Sequence, residues 1–374
     1  MRLRFGFSRI AAAIVSFGFL LIVPLGASSF AQTILPPATR PPGQPAPNAS
    51  LLCAGCISIN VDVTNKSGHP IGDLTAGDFT LLDNGRPATL VDFRAVDAQH
   101  PPADPVQVFI VLDAINTEYL VVARERDDLG AFLKQNGGAL PYPTTIAFFT
   151  ETGTNLREGP SQSGKVLLAS LDSAQAKLRT MGRSAGVYGA GERLTQSLDQ
   201  LRDLVDYETK QPGRKLLLLV SPGWPMLSYA GRDIQTKERS WIFDTVVQIT
   251  NSLREANISL YVLYPFNVGD NYYQSFLKGV TKIEQAQYPD LALPVLAEHS
   301  GGVVIVNGND IKGEINTAIE DASTYYTLTF DSAPASVTTD YHALSVKVDK
   351  PGLRVRTDAG YYVESGQASA APHR

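Results

Sequence analysis

Five apolar runs, VQVFIVLD, TTIAFF, KLLLLVS, ISLYVLY and GGVVIVN, constrain the fold of this chain more than any other feature. Each is apolar without alternation, the pattern of a strand buried on both faces. Between them lie stretches with the helical period: EYLVVARERDDLGAFLKQ, SGKVLLASLDSAQAKLRT, GERLTQSLDQLRDLVDYE, SWIFDTVVQITNSLREAN and IKGEINTAIEDAS. Strands hidden on both sides need helices over both faces. The alternation therefore predicts an α/β domain over residues 105–323, a doubly wound and mainly parallel sheet built by right-handed crossovers. Ligands of such folds sit outside the carboxyl ends of the strands.

Outside that block the period falls to two. Residues 57–96 alternate and are broken by the turn sequences SGHP and DNGRP, where Asn84-Gly85 is a strong hairpin signal. From Tyr325 the segments YYTLTFDS, YHALSVKVD and LRVRTDAGYYV alternate again. Neither end holds enough strands for a sheet sandwich of its own. The expectation is one small β-sandwich-like domain assembled from residues 53–100 and 324–364, with the α/β domain inserted between them. Residues 365–374 read as a frayed tail.

Residues 1–31 read as a signal peptide: basic MRLRFGFSR, apolar IAAAIVSFGFLLIV, then small residues up to Ala31. The alternative is an uncleaved anchor, although Pro24 interrupts a run near the lower length limit of a membrane span. The expected location is secreted or periplasmic. Residues 32–52 are too proline-rich to fold and read as an extended linker. The 374-residue chain has a net charge of −5, and its signal segment contributes Arg2, Arg4 and Arg9 without an acid. The exported remainder is more acidic still, which excludes a nucleic-acid partner that needs a basic surface. Nucleotide binding is excluded too, since GAGERL lacks the Lys-Ser/Thr of a phosphate loop. The two cysteines, Cys53 and Cys56, are expected to form a local disulfide that staples the start of the first strand. A thiol–disulfide oxidoreductase would need a helix after the first cysteine, and ISINVDVTN has the alternation of a strand.

The strand ending in DAINT, the central LLLLVSPGW and the order of elements resemble the von Willebrand factor type A superfamily. The segments VDVTNKSGHPIGDLTAGDFTLLDNGRPATLVDF, LAEHSGGVVIVNGNDIKGEINTAIEDASTYYTLTF and LSVKVDKPGLRVRTDAGYY look more closely like bacterial VWFA-related proteins, an exported group. The resemblance implies a metal-ion-dependent adhesion site: Asp-x-Ser-x-Ser after the first strand, Thr and Asp from two further loops, and oxygen ligands in an octahedron around Mg²⁺. Asp113 matches the leading Asp and Thr117 stands for the last Ser. Ile115 fills the middle Ser position and offers no oxygen. Ser184 is the one hydroxyl of suitable size in the second loop, and Pro222 in Ser221-Pro222-Gly223 replaces the third-loop carboxylate. No metal is expected in so degenerate a site, with Mg²⁺ at Asp113, Thr117 and Ser184 kept as the alternative. Asp113 is then expected to accept hydrogen bonds from its own turn and the following helix, with Asn116 or Thr117 sharing that work.

No histidine is spaced with another ligand in a metal pattern, and Ser221 with His299 as its base lacks the Gly-x-Ser-x-Gly elbow of a hydrolase. Two aromatic loops follow central strands: GWPMLSYAG with Trp224, Met226 and Tyr229, and YPFNVGDNYYQSF with Phe266, Tyr272 and Tyr273. Aromatic side chains at the rim where such folds bind partners are candidate hot spots, though Trp224 and its neighbours could instead fold under the helix near Trp241. The sequence thus predicts a non-enzymatic, exported interaction module that binds a protein or envelope component through this rim.

Overall fold

The computed structural model describes residues 55–156, 159–174, 186–225, 233–263, 272–306, 310–332 and 339–363, all within one compact unit, Gly43–Arg374. The signal segment, the linker, Cys53 and the tail lie outside them. The chain opens with β1 (Cys56–Thr64), β2 (Phe79–Asp83), β3 (Arg86–Pro87) and β4 (Leu90–Val96). Next come β5 (Gln107–Asp113), α1 (Tyr119–Lys134), β6 (Ala139–Thr150), β7 (Gly153–Leu156), β8 (Ser161–Ser163), α2 (Gly164–Ala174) and α3 (Gly186–Glu208). They are followed by β9 (Lys215–Val220), α4 (Thr236–Glu255), β10 (Ile258–Leu263), α5 (Leu293–His299), β11 (Val304–Ile305) and α6 (Ile311–Glu320). The last strands are β12 (Tyr325–Asp331), β13 (Tyr341–Val348), β14 (Arg354–Thr357) and β15 (Gly360–Tyr362).

The apolar runs build a seven-stranded sheet in the order β11-β10-β9-β5-β6-β7, with β8 also on β6. β11, β10, β9, β5 and β6 pair in parallel, and β7 and β8 return antiparallel. Alternate residues of β5 enter two cores. Phe109 and Val111 join Leu194, Leu198 and Leu201 of α3 and Ile242, Val246 and Ile249 of α4. Val108, Ile110 and Leu112 join Leu129 and Phe132 of α1, Leu167 of α2 and Ile315 of α6. Helices cover both faces, which is why these strands carry no polar alternation. GGVVIVN contributes only the two residues of β11, at the sheet edge, where one partner strand suffices.

The two chain ends do pair. β1 runs antiparallel between β12 and β14, and β4 closes that sheet on the far side of β12. A second sheet, β15-β13-β2-β3, shares a core with it: Ile57, Ile59, Val61, Tyr326, Leu328 and Phe330 of the first with Phe79, Leu81 and Tyr361 of the second. The β2–β3 hairpin turns at Asn84 and Gly85, with φ of 49° and 75°, the left-handed conformation that this dipeptide tolerates. A buried ionic network joins the β strands to the α/β part. Arg214, just before β9, makes paired bonds of 3.0 and 2.9 Å to Asp62 of β1. Arg356 of β14 reaches Asp62 at 2.9 Å and Asp321, beyond α6, at 2.5 Å.

Candidate functional site

Chain order places the site. From β5 the chain proceeds to β6 on one side, and β9 returns to the other, so the sheet reverses direction of winding between β5 and β9. Crevices in open α/β sheets form at such a point, outside the strand ends. Leu112 pairs with Val220, which brings Asp113 level with Ser221. Asp113 is fully buried. Its Oδ1 accepts from the backbone N–H of Ile115 and of Asn116, each at 3.1 Å. Its Oδ2 accepts from Asn116 Nδ2 at 2.9 Å and from the Ser221 hydroxyl at 2.7 Å. Burial pushes its carboxyl up, and these bonds draw it partly back.

Helix α3 holds the loop from the side. Asn116 Nδ2 gives its second hydrogen to Ser197 Oγ at 2.8 Å. Gln200 bonds both backbone groups of Thr150 at the end of β6, at 3.0 and 2.7 Å. Ser197 and Gln200 therefore mark the level of the strand ends on α3. Between Gly186 and Ser197 the helix overshoots the sheet by about 16 Å at 1.5 Å per residue. Tyr188 on that overhang is 93% exposed. Tyr119 and Leu120, in the first turn of α1, are 54% and 80% exposed.

Oxygen atoms without a donor gather at the same place. Asn116 Oδ1, Thr117 Oγ1 and both carboxylate oxygens of Glu125 are buried and have no hydrogen-bond partner. Both hydrogens of Asn116 Nδ2 are committed, which fixes the amide with its oxygen turned away from Asp113. Glu125, on the inward stripe of α1 with Val122 and Leu129, is pushed up to about 9 by burial and by the charges of Asp113 and Asp128.

The residues do not fit the octahedral Mg²⁺ site. Both oxygens of Asp113 already face N–H or O–H donors, Ile115 lies in the core at 2% exposure, and Glu125 holds a proton. Among the described residues no group of three or more His, Cys, Asp or Glu could hold a metal.

Other predicted residues divide sharply. Trp224 is 5% exposed and packs in the core with Ile242, Phe243 and Leu219, so its ring closes the core under α4 and is not presented at the rim. This is the packing that the sequence allowed as the alternative to exposure at the rim. Ser184, Met226, Tyr229 and Phe266 lie outside the described residues, as does the side chain of Tyr272. Tyr273 is half-buried in the short helix Tyr272–Ser275. Cys56 opens β1 at 5% exposure. His299 ends α5 fully buried, and desolvation lowers it to about 4. Sequence reasoning missed Ser197, Gln200 and Glu125. Only Glu125 left a signal, an acid on an otherwise apolar helix stripe.

The fold and site define a mixed α/β protein whose mostly parallel sheet is flanked by helices and carries antiparallel sheets from both chain ends. No family model matches the chain, and no curated protein does. Solved structures resemble the chain at low level, two of them as follows. The human COPII-coat protein Sec24c has a TM-score of 0.31 and 8% identity over 70% of this chain and 44% of that one. The pilus adhesin SpaC from Lactobacillus rhamnosus GG has a TM-score of 0.31 and 8% identity over 79% of this chain and 49% of that one. The chain spans less than half the length of either.

Among the described residues no helix is long and apolar enough to cross a membrane.

Proposed function

We propose that this protein is an exported, non-enzymatic interaction module: a VWA-like α/β domain carried on a β domain, binding a protein or envelope partner at the carboxyl-terminal rim of its parallel strands, without a metal. One observation carries the reading. Tyr119, Leu120 and Tyr188 stand exposed around the topological switch point while Asp113 beneath them is occupied by four internal donors. Large apolar side chains held in water at a crevice are costly unless something covers them. Asp113 works as a brace for the loop that presents them, and Cys53 with Cys56 as a staple at the entry to the β domain. Crosslinking the exported protein in its native envelope tests the reading, with Tyr119→Ala and Tyr188→Ala as controls. Loss of the captured partner in both variants supports it, and unchanged capture rejects the rim.

A second reading keeps a divalent ion on Asp113 and Thr117, and the unpaired Thr117 Oγ1 and Asn116 Oδ1 favour it. Calorimetric titration with Mg²⁺ and Mn²⁺ decides: saturable submillimolar binding lost in Asp113→Ala would replace the metal-free account.

A further inference from the structure

A strand at the edge of a sheet presents unpaired backbone N–H and C=O groups, and folded chains keep most such edges short. Among the described residues the edge strands are β14 and β4, β15 and β3, and β11, β7 and β8. Six of them have two to four residues, whereas β4 has seven. The direction of its free groups follows from the ladder. Asp331 N–H donates to Thr89 O at 3.3 Å, so Asp331, Thr329, Thr327 and Tyr325 of β12 turn toward β4. Their neighbours Asp92, Arg94 and Val96 bond back to β12, and Phe93 and Ala95 aim their backbone groups outward, with no partner among the described residues. Val91 is the extra residue of a bulge, because Thr329 faces Asp92 and Phe330 faces Leu90. On the inner face the Phe93 ring lies 5.6 and 5.9 Å from those of Phe79 and Tyr326. On the outer face Arg94 bonds Asp92 at 3.0 Å, with side chains 40% and 33% exposed.

We infer that β4 is where a second copy of this chain docks, antiparallel and centred on Phe93, so that the two four-stranded sheets join into one. Phe93 of each copy exchanges N–H and C=O with Phe93 of the other, a bonded pair. Asp92 then stands opposite Arg94 of the second copy, and Arg94 opposite its Asp92, at the non-bonded positions where side chains come closest. Together with the Asp92–Arg94 bond inside each chain, the four groups make a square of alternating charge. Charge also decides the register. The other register open to the same outward groups sets Phe93 against Ala95 and brings the two Arg94 side chains face to face, which is destabilising. The strand LVDFRAV is thus complementary to itself in reverse: apolar ends meet apolar ends, Asp meets Arg, and Phe meets Phe. A two-fold pairing occupies this edge on both copies, and β14 on the far side has only four residues, so the assembly closes as a dimer. The surface belongs to the β strands and is independent of the rim reading.

Sedimentation velocity on the full chain, at rising concentration and at low and high salt, tests this. The expected result is a dimer that forms with concentration and weakens with salt. Asp92→Lys and Arg94→Glu each turn both symmetry-related pairs from attraction to repulsion, so each should weaken the dimer by about tenfold or more at low salt. Thermal melts confirm that both variants stay folded. The deciding measurement mixes them. One variant has two cations on its edge and the other two anions, so the mixture should regain pairing as a mixed dimer although neither chain keeps its own Asp92–Arg94 bond. Charges that acted only within one chain would regain nothing on mixing. Tyr119→Ala and Tyr188→Ala, which address the rim, should dimerise like the wild type. A chain that stays single at every concentration overturns the inference, as does a dimer untouched by both charge variants. Charge variants that fail to pair when mixed overturn it too, and so does a chain that captures a strand of another protein along β4 without pairing with itself.

Discussion

Asp62 and Asp113 are both buried aspartates on neighbouring layers, and their surroundings are opposite. Burial acts against each charge. At Asp62 the guanidinium groups of Arg214 and Arg356 overcome it and hold the carboxyl below its ordinary value. At Asp113 the donors among the described residues are neutral, and burial pushes the carboxyl up. The first centre is closed by charge: its acids meet arginines, Tyr261 donates to Asp321 at 2.7 Å, and Arg214 lies 4.4 Å from the centre of the Tyr325 ring, although Arg214 Nε and Arg356 Nε are buried without an acceptor. The second has no such charge and is the open one in that sense, with Asn116, Thr117 and Glu125 oxygens buried without a partner. A buried polar group without its partner costs about 1–3 kcal/mol. The two centres therefore differ in what offsets the burial of the acid, guanidinium charge at Asp62 and neutral donors at Asp113.

The largest effect should come from opening the closed centre. Arg214→Ala takes two of the three guanidinium bonds from buried Asp62 and leaves only Arg356 beside it, and breaking a buried pair in this way costs about 3 kcal/mol. Urea unfolding would read this as a fall in midpoint at unchanged slope, and a loss below about 1 kcal/mol would break the contrast. The pH dependence has a fixed sign. Asp62 is depressed from 3.8 in the folded state, so its contribution is present above that value and fades as the pH falls through the depressed one.

Glu125 runs the other way. Its folded value is raised from 4.5 to about 9, so its contribution is full below 4.5 and is lost as the pH rises toward 9. Glu125→Gln removes that loss. The variant should match the wild type near pH 4.5 and exceed it by about 2 kcal/mol already at pH 6, measured by thermal melts across the range. No gain at pH 8 would mean that a cation already pairs with Glu125 in solution, and the second centre would not be open.

How much of this was legible in the sequence depends on whether a feature is local. The strand run ending at Asp113, the Asn84-Gly85 turn and the helical stripes are local, and each forms where its pattern lies. Even the pairing of β1 with β12, far apart in sequence, followed from counting strands that needed partners. Ser197 and Gln200 were invisible because a polar residue on an amphipathic helix acquires meaning only from what it faces. Asp62, Arg214 and Arg356 were invisible for the same reason, being joined across 152 and 294 positions. Trp224 shows the limit from another side. Its loop position spoke for exposure, and the room beneath α4 decided for burial.

A smaller effect is expected at the brace between the strands. Ser221→Ala removes the 2.7 Å bond to Asp113 and the acceptor for Gly223 N–H at 3.1 Å. The remaining donors keep Asp113 partly satisfied, so the cost should be about 1–2 kcal/mol, well under that of Arg214→Ala. A cost equal to the arginine variant would show that the open centre is as tightly built as the closed one.

The smallest effect on stability should come from the exposed edge of the open centre. Leu120 is 80% exposed and makes little of the core, so Leu120→Ala should leave the unfolding midpoint within about 0.5 kcal/mol of the wild type. If the open centre serves a partner, the same change should still remove apolar contact beside Thr117 and shorten the lifetime of the captured complex, since interface truncations act mainly on dissociation. Surface plasmon resonance with the crosslinked partner separates the two quantities. A variant that unfolds more easily and releases its partner no faster would make Leu120 a packing residue and leave the unpaired oxygens beside it without a purpose.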